Sequence, residues 1–452
     1  MFSLYVRLTV LSIQQVQKIN QPVRSAPSVT ASGATSTEPD GPRPWLDRVA
    51  GALTHRNFRI VWFAALGSTI GTWMQTYAQA WLVFEMTQST FYLGLDIFLT
   101  QLPVILFMLI GGVVADRYDK RRLLTGSQYI QMFSALALSV LLYTGYVRVW
   151  HIFALSFISG CGQAFGGPAY QSMLPTLVPR RDLPNAIALN STQFNLSRVL
   201  GPTAGGIVLA TIGPAACFGL NGVSFFFVVF ALASLHLPAH IVSKTKPALG
   251  EELRGGLHYV RDNKLVLTLT ILVFISTFLT MPVLTLLPAF AKNVLTESSY
   301  AYETRLSMLL ACQGLGAIVG ALTIGSLGRF KHMGRTLLLV QVAAGVLSAI
   351  FGQSHTFALS LALIVVLGMC FMALFSISFS LVQLTVPDEL RGRVVSIYMV
   401  ALRAGWPLGG LAAGALSDQF GAPLVIALNG ALLVLVAGTL LFVHRGHALA
   451  DA

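Results

Sequence analysis

The sequence predicts an all-α polytopic membrane protein with twelve transmembrane helices in two six-helix halves. Three observations carry that reading: a composition starved of charge, a series of long apolar runs, and a motif that returns after about half the chain. Of 452 residues, 55% are hydrophobic and only 10% are charged, with a mean hydropathy of +0.73. A soluble domain carries roughly 25% charged residues. Too few ionic groups remain to clothe water-soluble domains of this total size, which argues against a soluble enzyme.

A helix needs about 20 apolar residues to cross a bilayer, at about 1.5 Å of rise each. Twelve runs meet that length, at about 58–84, 91–115, 122–146, 150–174, 186–211 and 215–237, then 265–290, 304–327, 335–353, 357–384, 394–416 and 422–443. The organisation expected is therefore a first half over 51–237, a linker over 238–264 and a second half over 265–445. Residues 1–50 precede these runs. Ser25 to Pro44, rich in Ser, Thr, Pro, Gly and Ala, reads as a disordered tail. The apolar stretch Leu8 to Ile13 is too short to span, and reads either as an upstream extension or as an interfacial anchor. In the linker, Leu249, Leu253, Leu257 and Val260 form one stripe of an amphipathic helix expected along the cytoplasmic surface.

The net charge of +12, from 29 Lys and Arg against 17 Asp and Glu, does not indicate nucleic acid, because the positive residues sit in short loops between apolar runs. They set the orientation instead. With the N-terminus inside, the inner loops hold Arg117, Lys120, Arg121, Arg122, Arg180, Arg181, Arg329, Lys331, Arg335, Arg391 and Arg393, against Arg148, Lys292 and Arg305 outside. Both termini are thus expected in the cytoplasm of a bacterial cell. Cys161, Cys217, Cys312 and Cys370 lie in apolar runs without CxxC spacing and read as small hydrophobes. No Walker loop, nucleophile elbow or paired metal ligands appear, so no enzyme activity, cofactor or metal is expected.

The internal repeat is explicit. Val178-Pro179 opens a loop, Arg198 follows, and then Gly201-Pro202-Thr-Ala-Gly205-Gly206. In the second half Val386-Pro387 opens a loop, then come Arg403 and Trp406-Pro407-Leu-Gly409-Gly410. Arginine precedes proline by four residues in both, and the two arginines stand 205 positions apart. Duplication of a six-span unit accounts for this.

Between the second and third runs stands Gly111-Gly112-Val-Val-Ala-Asp116-Arg117-Tyr118-Asp119-Lys120-Arg121-Arg122. A topogenic basic loop explains the arginines but not the Gly-x-x-x-Asp-Arg spacing. The loop resembles the Gly-x-x-x-Asp-Arg-x-Gly-Arg-Arg signature of the major facilitator superfamily, with Asp119 in place of the second glycine. Three further stretches resemble the branch that holds enterobactin exporters and macrolide-efflux proteins: Trp81 to Ser89, Leu183 to Asn190, and Asp388 to Val394. The segment Gly201-Pro202-x-x-Gly205-Gly206 resembles the antiporter signature of drug exporters, although Ser197 stands where that pattern has glycine. The alternative reading is small-residue packing between membrane helices. Gly160-Cys161-Gly162-Gln163 departs from the Arg-x-x-Gln-Gly pattern of many proton-coupled relatives.

The resemblance implies a major facilitator fold and a conformational switch built on Gly112, Asp116, Arg117, Arg121, Gly201, Pro202, Gly205 and Gly206. Three ionisable residues lie inside apolar runs, where a charge costs several kcal/mol, and are the candidates for proton coupling: Asp96, Arg198 and Arg403. Asp96 is either a proton-coupling carboxyl group or a tie between helices. Arg198 is either a transport residue or a donor to neighbouring carbonyls, and Arg403 is shallower and able to snorkel. Trp73, Tyr77 and Trp81 form one stripe of the first run with Gln75 and Gln79 beside it. Gln75, Tyr77 and Gln79 are candidate cavity residues, the alternative being packing and an interfacial aromatic belt. Glu85 is expected to be solvated at the outer boundary.

The function expected is a monomeric secondary transporter that exports a small, largely apolar molecule, driven by the proton gradient by analogy with the resembled branch. An importer on the same fold, or a membrane receptor or scaffold that transports nothing, remain as alternatives.

Overall fold

The long apolar runs become long helices wherever turn chemistry permits. A computed structural model describes residues 50–235, 249–328 and 330–443, apart from the side chains of residues 108, 109, 112, 113, 115–117, 249–254 and 443. The tail, with its Leu8 to Ile13 stretch, and Arg329 therefore lie outside the described residues. So do the side chains of Asp116 and Arg117, whose backbone is helical.

A short turn over Gly51–Thr54 leads into α1 (Arg56–Thr87), followed by α2 (Thr90–Arg117), α3 (Lys120–Tyr143), α4 (Val149–Met173), α5 (Leu183–Thr211) and α6 (Pro214–Ala233). The linker helix α7 is Leu249–Asp262. Then come α8 (Lys264–Thr280), α9 (Pro282–Asn293), α10 (Tyr302–Leu327), α11 (Met333–Gly352), α12 (Phe357–Thr385), α13 (Asp388–Phe420) and α14 (Ala422–Val443). No strand occurs among the described residues.

The breaks have local causes. Gln88 adopts the left-handed conformation (φ 53°) and separates α1 from α2. The Asp119 carboxylate caps α3, accepting from the backbone N–H groups of Arg121 at 2.9 Å and Arg122 at 3.2 Å. That gives a physical reason for an acid at this position of the signature loop. Asn263 caps α8 through Val266 N–H at 3.1 Å. The apolar run 265–290 is not one helix, because Pro282 lacks an N–H and the chain restarts there as α9.

Among the described residues, eight helical rods are long and apolar enough, by length and composition, to cross a membrane: α2, α6, α8 with α9, and each of α10 to α14. The four that fall short of that standard, α1, α3, α4 and α5, are long but carry the polar residues Gln75, Gln79, Gln131, Ser156, Gln193 and Arg198.

Helix pairing repeats along the chain. Contacts join α1 to α5, α2 to α4, and α3 to both α4 and α6. In the later set α8 joins α13, α10 joins α12, and α11 joins both α12 and α14. Two seams connect the sets, α2 on α13 and α5 on α10. The linker helix packs on α13, and of the expected stripe the described side chains are Leu257 and Val260. Val260 is buried and Gly256 lies against Arg393 and Ile397, whereas Leu257 is 61% exposed. Glycine lets the helix approach closely on its Gly256 face, which turns Leu257 outward.

Small residues set the seams within each set. A Cβ on Gly316 of α10 would collide with the Val365 carbonyl of α12, while one on Gly325 would meet nothing within 4 Å. Gly316→Leu is therefore expected to destabilise the protein by about 1–3 kcal/mol through overpacking. Gly325→Leu should stay within about 0.5 kcal/mol of wild type. Thermal melting of both purified variants checks this, with Gly316→Leu melting lower.

Candidate functional site

Three helices meet at Asp96. The side chain, 7% exposed, lies on α2 about two turns from its start. Gln79 of α1 donates its amide to Oδ1 at 2.9 Å and Oδ2 at 2.7 Å, and Ser156 of α4 donates to Oδ1 at 2.7 Å. The same Gln79 nitrogen lies 2.9 Å from Ser156 Oγ. A buried carboxyl group is thus met by neutral donors, and no cation pairs with it among the described residues. Nothing in the apolar setting of Ser156 in the sequence marked it as a partner.

The other residues of the α1 stripe are also engaged. Gln75 accepts from the Asn221 amide of α6 at 2.6 Å. Tyr77, 1% exposed, donates to the Glu303 carbonyl of α10 at 2.7 Å. Trp81 stacks on Tyr302 at 6.4 Å between ring centroids. Gln75, Tyr77 and Gln79 therefore tie α1 to α6, α10, and α2 with α4, respectively.

The Gly-Pro segment of α5 has two faces. A Cβ on Gly205 would come 2.6 Å from Tyr77 Cδ1, and Gly201 lies against the Trp73 Cβ, so both admit α1. Gly206 faces α10, where an added Cβ would lie 2.5 Å from Ser307 Oγ. That hydroxyl donates to the Pro202 carbonyl at 2.8 Å. Arg198, half-buried, holds its guanidinium 5.6 Å from the centre of the Trp73 ring. Pro202 has no N–H to give the Arg198 carbonyl one turn back, and this carbonyl sits against Gly314 of α10. Pro407 stands in the same relation to Arg403.

The two arginines are not structural equivalents. Gly201, Gly205 and Gly206 meet α1 and α10, while Gly405, Gly409 and Gly410 meet α8 and the α9–α2 side, a common interval of 204. The Arg-to-Arg interval of 205 misses this register by one residue, about 100° around a helix. Arg403 is accordingly exposed, with no ring beneath it among the described residues.

The signature loop defines one end of the molecule. Arg121 there donates to the carbonyl that ends α6, Ala233 at 2.6 Å, and to that of Leu235 two residues on at 3.2 Å, a favourable place for a cation. The hydrogen bonds and ion pairs that the described residues make between the two helix sets gather at the opposite, far end. Asp418 of α13 caps α2 in trans: it accepts from Ser89 Oγ at 2.5 Å, Thr90 N–H at 2.6 Å, Thr90 Oγ1 at 2.7 Å and Phe91 N–H at 3.3 Å. Thr90 Oγ1 also lies 2.8 Å from the Gly414 carbonyl. Glu85, expected to be solvated, instead pairs with Lys292 of α9 at 2.6 Å. An acid at each helix end was visible in the sequence, but its partner hundreds of residues away was not.

Helices paired in this way around a polar interior define a membrane fold of the major facilitator class. The same fold is seen in the crystal structure of the nucleoside transporter NupG, with a TM-score of 0.69 over 87% of this chain and 100% of that one at 13% identity. A bacterial homologue of the human lysosomal transporter Spinster, described as inward-facing and unoccupied, gives a TM-score of 0.65 over 89% and 97% at 14% identity. The chain belongs to the transmembrane secretion effector family, whose model matches residues 49–449. Among curated relatives, the multidrug efflux pump Tap of Mycolicibacterium fortuitum is 27% identical over 80% of this chain and 89% of its own. The enterobactin exporter EntS of Escherichia coli is 27% identical over 88% and 94%.

The Asp96 cluster yields a stability test. Asp96→Leu removes the acceptor of both Gln79 and Ser156 and should cost about 1–3 kcal/mol for buried groups left unpaired. Asp96→Asn keeps an acceptor oxygen and should melt above Asp96→Leu. Equal melting temperatures for wild type and Asp96→Leu would show that the cluster does not hold the three helices.

Proposed function

We propose that the protein is a secondary exporter of a small molecule with a largely apolar body, working by alternating access of two six-helix halves that together make twelve membrane spans. Membership of a family whose relatives include a multidrug pump and a siderophore exporter supports export. The single structural observation that carries the mechanism is the gathering of cross-contacts at the far end. The excess of Lys and Arg in the loops at the signature-loop end supports a cytoplasmic position for that end and for both termini. On that orientation the far-end contacts close the outer side, which supports a state that takes substrate from within. Rocking about the α2–α13 and α5–α10 seams would part the far-end contacts and release substrate outside.

Asp96 is the proposed proton-coupling group. It is buried on α2, toward the outer side, where Gln79 and Ser156 donate to it from two other helices. Loading a proton would loosen its hold on Gln79 and Ser156, freeing α2 to move relative to α1 and α4. Asp116 is the proposed cytoplasmic latch, a carboxylate near the N-terminus of α13 once that side closes, worth about 0.3–1 kcal/mol.

Everted vesicles test the reading. A panel of dyes, macrolides and siderophores should include a compound that accumulates inside them; accumulation in right-side-out vesicles instead would identify an importer. With a confirmed substrate, Asp96→Asn is expected to lose the acceleration that an imposed pH gradient gives wild type. Acceleration as full as that of wild type would remove Asp96 from coupling. Asp116→Asn, at equal expression, should impair transport while leaving the protein folded and inserted.

A further inference from the structure

The interior holds a cation that the proposed transport cycle does not use. Arg198 stands 15 residues into the 29-residue α5, about 22 Å along the helix by its rise. That is too deep for its head to reach either interface readily. A charge at such depth is costly unless it meets a partner, water or a ligand. Among the described residues Arg198 has no carboxylate and no hydrogen-bonded carbonyl, only the face of Trp73. The buried acid of the first set, Asp96, is engaged by Gln79 and Ser156. The remaining acids of the region, Glu85, Glu303 and Asp418, stand at the far end. Arg403, 15 residues into α13 and exposed, likewise has no acidic partner among the described residues.

The position of the ring is built by the backbone. Gly201 leaves the space that the Trp73 Cβ fills, which lays the indole against α5 and under the residue one turn earlier, Arg198. Phe194, a further turn toward the signature-loop end, meets the indole edge-on at 5.9 Å and is itself 50% exposed. A half-buried guanidinium and two aromatic rings therefore share one face of α5. The Arg198 carbonyl lies against Gly314 of α10, so this face borders the seam between the helix sets.

We propose that Arg198, Trp73 and Phe194 form a recognition site for an anionic group carried on an aromatic body, so that the exported class is aromatic organic anions. The guanidinium takes a carboxylate, sulfonate or ionised catechol oxygen, and the rings take the attached aromatic system. The inference rests on the transporter reading for its physiological meaning, but binding tests it without transport.

The experiment uses the full-length protein in nanodiscs and two fluorescent probes with the same rings, anilinonaphthalene sulfonate and the neutral N-phenyl-naphthylamine. Wild type is expected to bind the sulfonate at least tenfold more tightly. Arg198→Gln should erase that preference while leaving the affinity for the neutral amine unchanged. Arg198→Lys should keep part of the preference, and Trp73→Leu should weaken both probes. Melting of each variant near the wild-type temperature shows that the fold is intact. Equal binding of both probes by wild type, binding of neither, or a loss on Arg198→Gln shared equally by both probes overturns the proposal. Failure of export in vesicles with the preference intact would overturn the exporter reading alone.

Discussion

Much of the architecture depends on close approach of backbones at two seams, α2 on α13 and α5 on α10. In a bilayer, helices gain little from burying apolar surface against one another, since lipid is equally apolar. Packing of small residues and polar contacts must hold them instead. Gly94 against Gly410 and Gly206 against Ser307 supply the first. Asp418 on the start of α2, Ser307 on the Pro202 carbonyl and Tyr77 on the Glu303 carbonyl supply the second. All of these polar bonds fall at the far end, so a rocking motion would break them together rather than one by one.

The four-residue spacing of arginine and proline, present in α5 and again in α13, follows from helix geometry. A proline frees the carbonyl one turn earlier, and in each case that carbonyl belongs to the arginine. In α5 the freed carbonyl borders α10, while the guanidinium of the same residue lies over Trp73. One residue therefore bears on both the seam and the mid-depth interior. On the proposed recognition site, that arrangement would link a bound anion to the contacts that hold the helix sets together.

The sequence revealed the helices better than it revealed their partners. Hydropathy gave the boundaries of α12 and α14 to within a few residues, because those helices are apolar throughout. It did not foresee the restart at Pro282, where a proline inside an apolar run was read through. In the linker stripe Val260 is buried while Leu257 is exposed, because Gly256 is the residue that lies against Arg393 and Ile397 of α13. Asp96 was conspicuous as an acid in an apolar run, yet its partners Gln79 and Ser156 come from two other helices and no local pattern reports them. The register of the repeat was off by one because arginine and proline mark the sequence, whereas glycine contacts mark the fold.

The claim that export proceeds by parting the far end can be tested directly at Ser89 and Asp418, whose side chains meet there. Ser89→Cys with Asp418→Cys, in a chain whose four native cysteines are replaced, can be bridged by a short bis-thiosulfonate. The account predicts that the bridged protein still binds substrate from the signature-loop end but moves none across the membrane, and that reduction restores transport. Undiminished transport by the fully bridged protein would contradict it.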